Sequence, residues 1–257
     1  MYPLPSTSAI LLRRIAYSEY DLILTLFTLA FGRISMIAKY ARKSRKRFCG
    51  TLELFSEIGA VGSVPEKGGL PVLQEAWVKN PFAGIRGDLQ RTAYASYWSE
   101  LVLAWLEEGR AQENIYHLLR FSLDALDSGR SPAAASIVFQ LYFLQFSGLG
   151  PNLQRCSRCG IFLEDMPGDR CGFDLAKGGL VCQQCTTSRR LPISLSRGTV
   201  KQLLWLQSSR LRKVERLKFS EPALRESLSF LEAFVPYHLG REPRSLKFLH
   251  HIRSFAR

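Results

Sequence analysis

The sequence predicts an α+β chain of more than one domain: a small five-stranded β-barrel, then an α-helical domain with an embedded four-cysteine metal module. Three observations carry that expectation. Period-two hydrophobic alternation fills the first eighty residues, helical periodicity with cap signals follows from Asp88, and two Cys-x2-Cys hooks interrupt the helical part. At 257 residues with 46% hydrophobic content, the chain can bury more than one core.

Residues 9–17 and 21–29 are short apolar runs without helical periodicity, and Gly32 opens a clearer strand. There Ile34, Met36, Ala38 and Tyr40 fall on one face and Arg33, Ser35 and Lys39 on the other. Leu52, Leu54 and Ile58 alternate with Thr51, Glu53 and Glu57, which predicts a fourth strand over 51–58. After the turn-rich SVPEKGGLP, residues 72–78 supply the fifth. Five short strands in this space fit an OB-fold, which holds oligonucleotides against one sheet face and its loops. Residues 1–80 are therefore expected to form a nucleic-acid-binding domain.

Between the third and fourth strands, Lys39, Arg42, Lys43, Arg45, Lys46 and Arg47 crowd six positive charges into nine residues. Like charges at this density repel one another unless an anion neutralises them, so the run is expected to contact phosphate. Tyr40 and Phe48 bracket it. Either ring could stack on an unpaired base or close the barrel core.

The helical domain is expected over 81–257. Asp88 caps a helix whose stripe is Leu89, Ala93, Tyr97, Leu101 and Ala104; a second helix ends at Gly129; and Ser131-Pro132 opens a third that is apolar nearly all round. The third belongs at the buried centre. His117 lies among Ile115, Leu118 and Leu119 and is expected as a core or boundary residue rather than a ligand.

The third helix leads into a module at about 153–190. Cys156-Ser-Arg-Cys159 and Cys182-Gln-Gln-Cys185 flank an insert of twenty-two residues. Two thiolates three positions apart grip one face of a tetrahedral Zn²⁺, and the second hook completes the shell. Gly160 and Gly178-Gly179 let the chain turn around each hook. Four sulfur ligands leave no position open for water, which predicts one structural zinc rather than a catalytic one. Cys171, inside the loop, and Cys49, after the basic run, have no such partner.

Past the module, residues 196–207, 220–240 and 243–256 read as helices that open on Ser or Pro, with a kink expected at Pro236. Their basic clusters are Arg210, Arg212, Lys213, Arg216 and Lys218, then Arg241, Arg244, Lys247, Arg253 and Arg257. The net charge of +13 is unevenly spread: residues 1–80 hold eleven Lys/Arg against six Asp/Glu, and residues 186–257 hold fifteen against five. Two basic ends around a mildly acidic middle suggest a polyanion held at both. A charged region before an apolar leader is absent, as is any apolar run of eighteen residues, so a cytoplasmic, nucleoid-associated protein with no membrane partner is expected.

The order of these motifs resembles the bacterial RecO family of recombination mediators over nearly the whole chain. The Gly32 strand with its AlaArgLys-Ser segment, FQLYFLQFSGLGPNLQRCSRCG, the stretch from Phe173 to Cys185, Tyr237-His-Leu-Gly-Arg241 and Ser245-Leu-Lys-Phe-Leu249 carry the likeness. Tyr40 stands where that family's loop has glycine. The resemblance implies an N-terminal OB-fold and a zinc-bearing helical domain. It also implies binding of single- and double-stranded DNA, strand annealing, and partnership with RecR and single-stranded DNA-binding protein to load RecA. No deaminase, metalloprotease or phosphate-loop signature is present, which argues against an enzyme. A zinc-bearing RNA-binding or translation-associated factor is the alternative, and a zinc-dependent nucleic-acid enzyme a third.

Overall fold

A computed structural model describes residues 2–44, 46–186, 193–214 and 218–255. The chain divides into two compact units, one comprising Met1–Gly129 with Lys247–Arg257 and the other Arg130–Leu246.

In the first unit, β1 (Tyr2–Ala16), β2 (Leu22–Thr28), β3 (Gly32–Ala38), β4 (Glu57–Val64) and β5 (Val72–Asn80) close a barrel in the order β1-β2-β3-β5-β4. The β3–β5 contact is parallel, through Ile37 and Val72, while the other pairings are antiparallel. This is the OB-fold. The weak periodicity of residues 9–17 reflects burial of four successive residues, Ala9 to Leu12, and a register shift in β1 between Leu11 and Arg13. Ala9, Leu11, Leu24, Leu26, Met36, Ala38, Ile58, Ala60 and Leu73 fill the barrel.

The fourth strand lies later than its expected span of 51–58. Residues 51–56 are turn and loop, with Leu52 plugging the core, and the strand begins at Glu57. Its sequence, EIGAVGSV, is poor in strand formers because Trp77 lies across it: a Cβ at Gly59 would meet the indole at 2.2 Å. Tyr40, expected on the core face of β3, is 63% exposed, because β3 stops at Ala38 and Tyr40 adopts φ 56.

A single turn α1 (Ala83–Arg86) leads to α2 (Leu89–Trp105) and α3 (Glu113–Asp127). The Asp88 carboxylate accepts from the Arg91 amide as the N-cap; Ala93, Tyr97 and Leu101 of the expected stripe are buried, joined by Tyr94, Trp98 and Val102, while Leu89 is exposed. Buried Glu57 of β4 accepts from the Tyr116 hydroxyl at 3.1 Å and from Arg120 Nε at 3.0 Å, tying α3 to the barrel edge. His117 is exposed, 3.6 Å from Glu113. Arg253 lies over the Tyr94 ring at 5.5 Å.

In the second unit, α4 (Pro132–Phe146) is capped by Ser131 and buries ten consecutive residues from Ala135 to Leu144. It packs on α7 (Glu221–Leu239) and α5 (Arg197–Ser208), with the short turn α6 (Leu211–Val214) between them in sequence. Tyr142 donates its hydroxyl to the Leu206 carbonyl at 2.8 Å, and burial pushes its pKa up to about 12. Helix α7 continues through Pro236 to a left-handed Gly240 cap, and α8 (Arg244–Phe255), which from Lys247 onward belongs to the first unit, ends the described chain.

Candidate metal centre and basic loop

The second unit also holds a sheet of four short strands, β6 (Asn152–Cys156), β7 (Arg170–Asp174), β8 (Gly179–Val181) and β9 (Ile193–Ser196), in the order β6-β8-β7-β9. With three to five residues each, these strands have few ladder bonds of their own. The hooks sit at their ends. After Cys156 the chain turns so that the Gly160 amide donates to the Cys156 carbonyl at 3.0 Å, and Gly160 takes φ 79, which favours a residue without Cβ. Gly178, at φ 61, turns β7 into β8, which delivers Cys182 to the second hook.

The structure brings together the Sγ atoms of Cys156, Cys159, Cys182 and Cys185, all within 4.8 Å of one another, with Cys159 and Cys182 at 3.7 Å. A tetrahedral ion with metal–sulfur bonds of about 2.3 Å holds its ligands roughly 3.8 Å apart, so the donor set fits such an ion. The electrostatics agree. Burial opposes a thiolate at Cys156, but the amides of Cys159, Cys182 and Arg158 outweigh it and bring its pKa to about 6. The Cys182 and Arg158 amides each lie 3.4 Å from its sulfur. Hydrogen bonding with the Cys159 and Cys182 thiols raises Cys185 to about 12. The first charge is stabilised and later ones are resisted, which is the state a dication relieves. Arg158 also donates to the Cys185 carbonyl at 2.8 Å and lies 3.6 Å from Asp174, clamping the two hooks.

Cys171 stands outside the cluster. Its buried thiol donates to the Leu195 carbonyl at 3.7 Å, and burial raises its pKa to about 11. Cys49 is exposed at the end of the basic loop.

Two contacts anchor this sheet to α7. Phe173 of β7 packs between Phe230 and Phe234, with centroids at 4.5 and 5.1 Å. Glu226 accepts from Thr199 Oγ1 at 2.6 Å, Ser196 Oγ at 2.8 Å, the Ser196 amide at 2.9 Å and Arg170 Nη1 at 2.8 Å. Burial works against its charge, but these donors prevail and lower its pKa from 4.5 to about 2. A depressed carboxylate contributes stability fully above its unfolded pKa and loses it as pH falls through the folded one. Glu226→Gln is expected to cost about 2 kcal/mol at pH 7 and to leave a shallower loss of stability than the parent between pH 4.5 and 2. Denaturant melts of both proteins across that window check this.

The basic loop lies in the first unit, between β3 and β4. Lys39, Arg42, Lys43, Lys46 and Arg47 are all exposed, and Arg45 lies outside the described residues. The β1–β2 turn supports the loop: the Arg42 amide donates to the Tyr20 carbonyl at 3.0 Å, Arg42 Nη1 to the Ser18 carbonyl at 3.3 Å, and the Tyr40 amide to Asp21 Oδ1 at 2.8 Å. Lys43 is 3.9 Å from Glu19 and its ammonium sits 3.7 Å over the Tyr20 ring. Arg47 donates to the Lys39 carbonyl at 2.9 Å, and Phe48 is buried in the barrel core. The glycine-like backbone at Tyr40 keeps the left-handed turn despite a side chain for which it costs about 1–2 kcal/mol. The supporting turn, Ser18 to Asp21, was not singled out by the sequence, although two tyrosines around a polar turn were a visible signal. Beside the loop, an open depression of about 530 Å³ is lined by Arg14, Arg42, Ser44, Phe48 and Glu53 among others.

In the second unit, Arg210, Arg212, Lys213, Arg241 and Arg244 are exposed, and Arg216 lies outside the described residues. No helix among the described residues is long and apolar enough to cross a membrane.

Comparison with known proteins agrees with this architecture. The family model described as Recombination protein O N terminal matches residues 1–82, and Recombination protein O C terminal matches residues 86–247. The chain is 45% identical to the DNA repair protein RecO of Desulfosudis oleivorans, covering 97% of this chain and 98% of that one. It is also 45% identical to the RecO of Desulfatibacillum aliphaticivorans, with 98% of each covered, and 36% identical to that of Syntrophus aciditrophicus, over 97% and 96%. A barrel, a four-cysteine module and helices in this order, matched over nearly the whole chain by these relatives, mean that the chain belongs to the RecO family of DNA repair proteins.

Proposed function

We propose that the chain is a non-catalytic recombination mediator that binds single- and double-stranded DNA and anneals complementary strands. In recombinational repair it helps load RecA onto DNA coated by single-stranded DNA-binding protein, with RecR as partner, in the cytoplasm at the nucleoid. The observation that carries this reading is the row of five exposed cations, Lys39 to Arg47, held beside an OB-fold barrel by the β1–β2 turn. A polyanion satisfies charges that the protein itself offsets with only Glu19 among the described carboxylates. Residues 1–80 are the first DNA-binding domain, and the clusters around Arg212 and Arg244 in the helical domain supply a second surface. One zinc, held by Cys156, Cys159, Cys182 and Cys185, contributes folding free energy to a sheet too small to stand alone.

Annealing joins two polyanions and so requires charge on both surfaces. In the full-length protein, Arg210→Ala, Arg212→Ala and Lys213→Ala together are expected to slow annealing of complementary oligonucleotides about tenfold while single-strand binding persists. Equal annealing by the triple variant excludes the second surface. Tighter binding of matched RNA than of single-stranded DNA at one salt concentration would turn the reading toward an RNA-binding factor.

A further inference from the structure

The β1–β2 turn and the basic loop meet in an aromatic arrangement that charge neutralisation does not need. Tyr20 and Tyr40 lie nearly parallel, with centroids 6.1 Å apart and planes at 16°. The Lys43 ammonium lies 3.7 Å from the Tyr20 centroid. Tyr40 is 63% exposed, and Tyr17, at the start of the β1–β2 turn, is 64% exposed. A large ring held in water beside exposed cations gives up burial that it could obtain in the core.

The backbone sharpens the point. Tyr40 occupies the left-handed region at φ 56, where glycine is free and a bulky residue is strained. The strained turn is held by the Tyr40 amide donating to Asp21 Oδ1 at 2.8 Å. Had the chain stayed extended past Ala38, alternation would have sent this ring toward the barrel core; the left-handed turn instead presents it outward. Strain retained at an exposed aromatic residue is a reason to look for a ligand.

We infer that Tyr40, braced by Tyr20, is a stacking platform for an unpaired base of single-stranded DNA whose flanking phosphates are held by the cations of the same loop. This rests on the reading of the loop as a DNA-binding surface and adds a second, uncharged component to it. Every base has a π-face, so the platform is indifferent to sequence, and a paired base inside a duplex cannot reach it. It therefore biases the first unit toward single strands, which phosphate contacts alone do not do.

The test uses the full-length protein and a Tyr40→Gly variant. Glycine takes up the left-handed turn without strain, so the variant is expected to melt no lower than the parent. Three probes are compared at fixed salt: an oligothymidylate, an abasic strand of the same length, and a duplex. The platform predicts about a tenfold loss of affinity for the oligothymidylate, little change on the abasic strand and duplex, and an unchanged salt slope, because no charge is removed. Tyr40→Phe is expected to bind like the parent. Equal affinity of parent and Tyr40→Gly for the oligothymidylate overturns the platform and leaves phosphate binding by the loop intact. Equal loss on all three probes also overturns it, since it assigns Tyr40 to shaping the loop. A parent that binds none of the probes overturns both the platform and the DNA-binding reading.

Discussion

Cys159→Ser is expected to abolish stoichiometric metal binding and to lower the thermal midpoint by roughly 10 °C, on the basis of about 2–4 °C per kcal/mol for a chain of this size. The parent should carry about one zinc per chain. Cys159 is exposed, so serine there removes a ligand with little loss of packing. What remains is three thiols around an incomplete shell, and the strands at the hooks are only three to five residues long. Without the ion, their order depends on Phe173 against α7 and on Glu226. Cys171→Ala is the matched control: its sulfur contacts the Leu195 carbonyl and lies outside the cluster, so metal content stays at one while some buried packing is lost. DNA affinity of the folded fraction should fall less than stability in Cys159→Ser, because the basic loop belongs to the other unit. Metal-free parent protein with an unchanged midpoint would refute a structural zinc.

How much of this the sequence discloses depends on how local each feature is. A Cys-x2-Cys hook is a local object, and so is a nine-residue basic run, which is why both were legible without a structure. The strands around the hooks were not. They are too short for alternation to register, so Gly178-Gly179 was legible as a turn at the second hook but not as the link between two strands. The OB-fold was legible from strand count, yet β4 was displaced because its face is set by a distant side chain: Trp77 covers Gly59 and replaces the branched residues that mark a strand. Tyr40 shows a different limit. Period-two reading carried it into the core with Met36 and Ala38, and only the φ of one residue reverses that. Glu57, which extends a polar alternation in sequence, is buried by Tyr116 and Arg120 from α3, a partnership across about sixty residues that no window of residues displays.

Replacing Arg42, Lys43 and Lys46 together with alanine should change the salt dependence of DNA binding more than any other substitution in the first unit. Each cation that neutralises a single-strand phosphate contributes about −0.7 to the slope of log affinity against log salt, so three engaged residues flatten it by roughly two units. The structure ranks the three. The Arg42 side chain donates to the Ser18 carbonyl and Lys43 rests on the Tyr20 ring near Glu19, whereas Lys46 is exposed with no side-chain partner among the described residues. Lys46→Ala alone should therefore act through charge only, with stability unchanged. Arg42→Ala should also loosen the turn that carries Tyr20. Because phosphates carry no base information, affinity should fall by nearly the same factor for every sequence tested. A sequence-dependent loss would indicate base-edge contacts from this loop. If the triple variant kept the parent's affinity and slope, the loop would be merely solvated, and the clusters around Arg212 and Arg244 would become the primary DNA-binding surface.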